Sequence, residues 1–514
     1  MRFCCVSLVL GWLLATSATA QVTPFAIEVV DAQTGRGVPM VELRTVNGIR
    51  LFTDSAGLVA FDEPGLMDRD VFFHVSSHGY EFPADGFGFR GKALHTTPGG
   101  QARLQVHRLN IAQRLYRITG QGIYRDSLRL GRSVPIEQPA LNGRVLGQDS
   151  TQAVVYRDRI YWLWGDTQRE SYPLGLFKTS GATSELPGRG GLDPSVGVNL
   201  HYFVDEKGFS RPMAPLEGEG LIWLDALMVL PDETGRQRMI AHYSRMKSLE
   251  QRLEHGLVVF DDAQQTFRKL VKFPDDAAAY PRGHALSVTV DGQPYIYFAS
   301  PYPLIRVPAR WADVQNPTRY EAFTCVAPGQ AYEGKNTRLD RDEHGRLCWS
   351  WKANAAYMDA MRQRELIQAG AMSADEAWLN TRDVESGEPV LLHSGSVRWN
   401  AYRQAWVMIA VQIEGSSMLG EVWFAQANQP EGPWPWARKV VSHDRYSFYN
   451  PVHHAFFDQE GGRVIYFEGT YSAAFSGAPA PTPRYDYNQI MYRLDLADPR
   501  LNPPATQPQH DANR

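Results

Sequence analysis

Cysteine is nearly missing from this chain: four occur in 514 residues. Two of them, Cys4 and Cys5, lie in an N-terminal apolar stretch. That leaves Cys325 and Cys348, in EAFTCVAP and GRLCWSWK, which excludes a disulfide-dense scaffold and a cysteine-built zinc site. In an oxidising compartment these two are expected to form one disulfide. An excess of charge of one sign is also absent. Lys and Arg total 52 against 56 Asp and Glu, a formal net charge of -4 with pI near 6.4, so composition gives no support to nucleic-acid binding. Long apolar runs are confined to the first residues, where Arg2, a run through Leu14 and Ala18-Thr19-Ala20 read as a signal peptide over 1–20. That run is shorter than the ~20 residues of a membrane span. The mature protein is therefore expected to be secreted or periplasmic, with no membrane segment after cleavage. The acidic stretch Asp340-Arg341-Asp342-Glu343-His344-Gly345 lacks the ligand series and downstream Glu of an EF-hand, and reads as a hairpin turn.

What is abundant is aromatic and turn-forming: Trp 13, Tyr 23 and Phe 23, with Gly 44 and Pro 33. Many short strands with frequent turns make this an all-β protein. Over 22–108, the segments FAIEVVD, PMVELRT, LVAFDE, VFFHVSS and ARLQVHR alternate with turn signals and predict a β-sandwich. Asp31, Asp54 and His78 read there as polar turn residues. A joining segment covers 109–140, and 496–514 reads as a disordered tail. Two helices are expected between hairpins three and four, in KANAAYMDAMRQRELIQAG, stopped by Gly370, and in SADEAWLN, capped by Ser373 with Glu376.

From Leu141 the chain repeats one unit. QDSTQAVVYRDRIYWLWGD folds back at Arg157-Asp158-Arg159, setting Asp149 level with Asp166. LIWLDALMVL with RMIAHYSR, RGHALSVTV with YIYFASPYP, SGSVRWN with AWVMIAVQIEG, and NPVHHAFFD with RVIYFEGTYS follow the same plan. Five such hairpins predict a five-bladed β-propeller over 141–495 with a small helical insertion.

In a propeller the first strand of each blade starts, and the second ends, at the same mouth. That rule gathers Gln148, Asp149, Asp166 and Thr167; Asp225, His242, Tyr243 and Arg245; Arg282, His284, Tyr302 and Arg306; Ser394, Ser396, Arg398 and Gln412; and Asn450, His453, His454, Glu468 and Tyr471. The acids among them are Asp149, Asp166, Asp225 and Glu468. Paired carboxylates across a cleft are what glycosidic hydrolysis requires. Asp166 serves equally as an acceptor in a tight turn, and Asp225 as a structural partner of His242 or Arg245. Partial burial of Glu468 after an apolar strand raises its proton affinity and suits a donor; its structural alternative ties the last blade to the first. Trp164 and Trp223 offer faces for sugar stacking. Arg245, Arg282, His284, Arg398 and His453 are the candidate substrate contacts, or neutralise rim acids. His453 and His454 are neighbours on a strand, which argues against joint chelation.

Asp31-x-x-Thr34-Gly35-x-Gly37-Val38-Pro39 followed by Thr53-Asp54-Ser55-x-Gly57 resembles carboxypeptidase-regulatory-like sandwiches. Tyr161-Trp162-Leu163-Trp164-Gly165-Asp166-Thr167, the preceding Asp149, and AQANQPEGPW resemble the five-bladed propeller glycosidases, arabinanase-like and endo-D-arabinanase-like proteins among them. The resemblance implies a carbohydrate hydrolase with Asp149 as base or nucleophile, Asp166 as second acid and Asp225 as the residue tuning its proton affinity. The chain departs from the pattern in having no Glu at the usual general-acid position, which leaves the donor open between Asp166 and Glu468. No cofactor is implied, though some propellers hold a structural Ca²⁺. A polysaccharide lyase using His284 or His242 with a Tyr, and a non-catalytic carbohydrate-binding propeller, are the alternative readings.

Overall fold

The computed structural model describes residues 23–176 and 178–503. The expected signal peptide therefore lies outside the described residues, as does the end of the expected tail. Among the described residues strands dominate, with three α-helices, of which Ala360–Gln368 is the longest.

The N-terminal part forms two four-stranded sheets. Leu58–Phe61, Phe25–Asp31, Gln101–Arg108 and Tyr80–Glu81 make one; Arg50–Phe52, Glu42–Thr45, Asp70–Ser76 and Gly91–His95 make the other. Alternation decides which faces pack: along DVFFHVS, Val71, Phe73 and Val75 are buried while Asp70 and Ser76 are exposed. Both sheets contribute to one core, with Ile27, Val29 and Phe61 against Leu43 and Phe73. Asp54 accepts from the N–H and hydroxyl of Ser127, both at 2.7 Å, and so ties this part to the helix Arg125–Arg129.

Five further sheets of four or five strands follow in chain order, antiparallel except where Arg382–Asp383 pairs parallel with Trp436–Val441. Their leading hairpins pair Gln152–Tyr156 with Arg159–Trp164, Leu221–Pro231 with Gln237–Met246, His284–Val290 with Gln293–Ala299, Leu392–Asn400 with Ala405–Gln412, and Ser447–His453 with Val464–Ser472. Arg157 and Asp158 both take positive φ, 49° and 63°, the conformation a two-residue hairpin loop needs to match strand twist. The first strands of successive sheets lie against one another in order. Between the fifth and first, the Tyr449 hydroxyl donates to Asp149 and the Asn450 amide to Ser150.

Four expectations need correction. The joining segment 109–140 contains Gln113–Arg117, which is buried throughout and pairs with Asn488–Asp495 as the outermost strand of the last sheet. Its apolar Leu115 and the otherwise open edge of the neighbouring strand explain the recruitment. The expected tail begins with folded residues, since Leu496 and Leu501 are buried in the core of the last sheets. In the insertion, Asp359 caps Ala360–Gln368 by accepting from Arg362 N–H at 2.9 Å, and Gly370 follows at φ +72°. The second expected helix is only the 3-10 turn Ala374–Glu376, beyond which Trp378 is anchored by its indole N–H to Glu431 O at 2.8 Å. Finally, Cys325 and Cys348 are free thiols. The Asp340 backbone stands between them, donating to Cys325 O at 2.8 Å and accepting from Cys348 N–H at 2.9 Å. Asp340–Gly345 itself forms the expected turn, closed by Gly345 N–H to Asp342 O at 3.0 Å.

Candidate active site

The register of the first hairpin pairs Gln152 with Leu163, and its continuation brings Asp149 beside Asp166: the Asp166 N–H donates to Asp149 Oδ1 at 2.9 Å. Gly165 permits this approach, because a Cβ there would meet Asp149 Oδ1 at 2.3 Å. Tyr449 donates to Asp149 Oδ2 at 3.2 Å, and the Tyr487 hydroxyl bonds to the same carboxylate. Burial pushes the Asp149 carboxyl up, and these donors pull it back. Asp166 is pushed up to about 6 by burial and by the charge of Asp149, opposed by the Trp223 indole. Its Oδ1 has no partner among the described residues. The two acids thus differ in environment: Asp149 receives the Asp166 amide and the Tyr449 hydroxyl, with Tyr487 and Ser150 also favouring its ionised form, while Asp166 retains a free oxygen.

Asp225 is tied to the first hairpin by Gln152, whose amide donates to Asp225 Oδ1 at 3.0 Å, while Gly283 N–H donates to Oδ2 at 2.7 Å. Burial raises its proton affinity; the amides of Gly283 and Ala226 and the charge of Arg282 lower it. Arg282 lies over the Tyr357 ring at 4.6 Å and bonds to its hydroxyl. Positive φ gathers here at residues other than glycine: Ser150 58°, Ala226 52°, Asn450 50° and Tyr487 60°. Such conformations each cost roughly 1–3 kcal/mol and persist where surrounding contacts impose them, commonly at functional sites.

A second group surrounds His284. Burial, then the charge of Arg398, lowers its pKa to about 3, so it is neutral. Arg398 donates to Ala285 O at 3.0 Å and Val397 O at 2.9 Å, and burial lowers its pKa to about 10.

Several expected site residues do other work. Trp164 is buried, stacked on Trp162 at 6.2 Å and against Tyr202 at 5.5 Å, so it offers no face to a sugar. Arg245 is buried with its guanidinium occupied by Glu254 at 2.9 Å and by the carbonyls of Glu217 and Glu219. His453 is fully buried and bonds to Asp458 at 2.7 Å; His242 is buried against His255 at 3.0 Å. Glu468 is fully buried too, four residues inside the end of its strand, bonded to His454 Nε2 at 2.6 Å. Burial pushes it up to about 8, but no substrate reaches a carboxyl closed within the last and first sheets. Away from the pair, Tyr302 bonds to Thr381 at 2.9 Å and Arg306 pairs with Glu321. Among the described residues no cluster of three or more His, Cys, Asp or Glu is arranged to hold a metal ion.

Tyr449, Tyr487 and Gln152 are the residues that sequence reasoning missed. Tyr449 was within reach, since it precedes Asn450 in SFYNPVH and the strand simply begins earlier, at Ser447. Tyr487 precedes an outer-region strand, Asn488–Asp495, and nothing in its surroundings points toward Asp149.

No protein-family model and no curated protein matches the sequence. Among solved structures, the alpha-L-arabinanase of Penicillium chrysogenum complexed with arabinobiose is 11% identical, with 75% of this chain and 99% of that one covered and a TM-score of 0.35. A GH43 enzyme from Xanthomonas citri complexed with xylotriose is 13% identical over 69% of this chain and 88% of that one, TM-score 0.33. The exo-beta-1,3-galactanase from Phanerochaete chrysosporium with galactose is 10% identical over 75% and 65%, TM-score 0.36.

Proposed function

We propose that this chain is an exported glycoside hydrolase: an N-terminal β-sandwich followed by a five-bladed β-propeller that cleaves glycosidic bonds in a poly- or oligosaccharide. The observation that carries the reading is the Asp149–Asp166 pair, two carboxylates joined through the Asp166 amide, with Asp166 raised to about 6. Paired acids with unequal proton affinities divide into donor and acceptor. In this reading Asp166 protonates the leaving oxygen. Asp149, whose carboxyl burial raises against the opposing hydrogen bonds of Tyr449 and the Asp166 amide, acts as base or nucleophile. Asp225 tunes the pair, Trp223 supplies the stacking face, and Arg282, His284 and Arg398 hold hydroxyls.

The test is release of reducing ends from a panel of plant and bacterial glycans by the full chain and by Asp149→Asn and Asp166→Asn. Loss of turnover by about 10²–10⁴ in each folded variant is expected for a group that transfers a proton in the transition state. Product carrying an unsaturated uronate absorbance would instead establish a lyase. Glycan binding without cleavage across the panel would establish a binding module.

A further inference from the structure

A cavity of about 250 Å³ lies between the N-terminal sheets and the segment leading into the last strand, lined in part by Leu51, Asp126, Arg125, Arg129 and Arg484. Three guanidinium groups gather around one buried carboxylate. Arg125 is 2.9 Å from Asp126 and Arg129 is 3.7 Å away, and the charge of Arg484 also acts on it. Arg129 has a further partner in Asp62. Arg484 makes no hydrogen bond or ion pair through its guanidinium among the described residues, is exposed, and feels both the like charge of Arg125 and the opposite charge of Asp126.

The backbone that presents Arg484 is fixed. Its φ is 66°, Arg117 donates to its carbonyl, and the next residue, Tyr485, bonds through its hydroxyl to Thr53 O. Left-handed backbone at an arginine, held from both sides, is strain retained by its surroundings. Tyr487, two residues beyond Tyr485, reaches Asp149, so one short segment serves both the cavity and the candidate active site. The cavity is smaller than the ~300–1,000 Å³ of drug-sized pockets, which limits its occupant to a group the size of one sugar.

We infer that this cavity is an accessory site for an acidic sugar, a uronate whose carboxylate is received by Arg484 and Arg125. Glu63, which also lines the cavity and makes no ion pair among the described residues, accepts from its hydroxyls. The choice of a sugar rests on the proposed carbohydrate function; the choice of an anion rests on the Arg484 guanidinium, which makes no direct hydrogen bond or ion pair among the described residues.

Calorimetric titration of the full chain with glucuronate, glucose and inorganic sulfate at low salt tests it without any need for turnover, so absence of hydrolysis and absence of this site are separate results. Saturable glucuronate binding, weakened at least tenfold by Arg484→Gln and by Arg125→Gln and not matched by glucose, is the expected result. Glucose binding as well as glucuronate, glucuronate binding indifferent to both substitutions, sulfate binding as tightly as glucuronate, or no glucuronate binding would overturn it.

Discussion

Asp149 and Asp166 are the same residue type seventeen positions apart, and what separates them chemically is the number of donors each receives. Asp149 takes two tyrosine hydroxyls and an amide, whereas Asp166 takes the Trp223 indole and keeps one oxygen free. The Asp166 carboxyl, at about 6 in the fold against 3.8 unfolded, favours the folded state when protonated. That contribution is complete below 3.8 and is lost as pH rises through about 6. Ionised Asp166 therefore costs stability at neutral pH. Asp166→Asn is expected to raise the melting temperature at pH 7.5 and to change it little at pH 4; differential scanning calorimetry at both pH values checks this. If Asp166 donates the proton, wild-type kcat falls as pH rises through the carboxyl's value in the bound complex, and a pH–rate profile without that limb would count against the role. Register alone made this pair legible. The tyrosines that distinguish its members come from distant segments; Tyr449 directly precedes a position that register puts at the mouth, whereas no local pattern in YDYNQ announces Tyr487.

At the scale of strands and sheets, the hairpin plan correctly paired five sets of strands but overstated what lies at their ends. Glu468 and Trp164 are on the expected strands, yet both face packing between the last and first sheets. The distinction depends on how neighbouring sheets stack, which strand periodicity does not encode. Glu468 with His454 forms a neutral buried pair: burial raises the acid to about 8 and lowers the imidazole. With its folded value above the unfolded 4.5, Glu468 stabilises the fold in its protonated form, and that contribution is lost as pH rises through about 8. Melting temperature is expected to drop between pH 7 and pH 8.5 in the wild type and to drop less in Glu468→Gln, which keeps a partner for His454. Glu468→Ala leaves His454 unpaired beside a void and is expected to cost about 2–5 kcal/mol in urea unfolding, the range of buried truncations and orphaned donors.

Across the whole molecule, the chain closes on itself. Gln113–Arg117 leaves the N-terminal sheets and completes the last sheet alongside Asn488–Asp495, so residues more than 370 positions apart are adjacent strands. Met40 and Phe52 extend the same contact, sharing a core with Tyr446, Tyr471 and Tyr485. Leu115→Ala, inside that closing strand, is expected to destabilise by about 2–5 kcal/mol. Because the shared core couples both parts, the protein is expected to unfold in one transition. Two resolved calorimetric transitions, with the Leu115→Ala effect confined to one, would show the parts to be independent.

The all-β character, the leading hairpins and the proximity of Asp149 to Asp166 follow from local information: alternation, turn chemistry and a fixed antiparallel register. The free state of Cys325 and Cys348, the recruitment of Gln113–Arg117, the burial of Glu468, Trp164 and Arg245, and the approach of Tyr487 to Asp149 required the assembled molecule. These depend on which surfaces meet across long sequence separations. That is settled by the packing of sheets and by the need to satisfy every buried polar group, not by any window of residues.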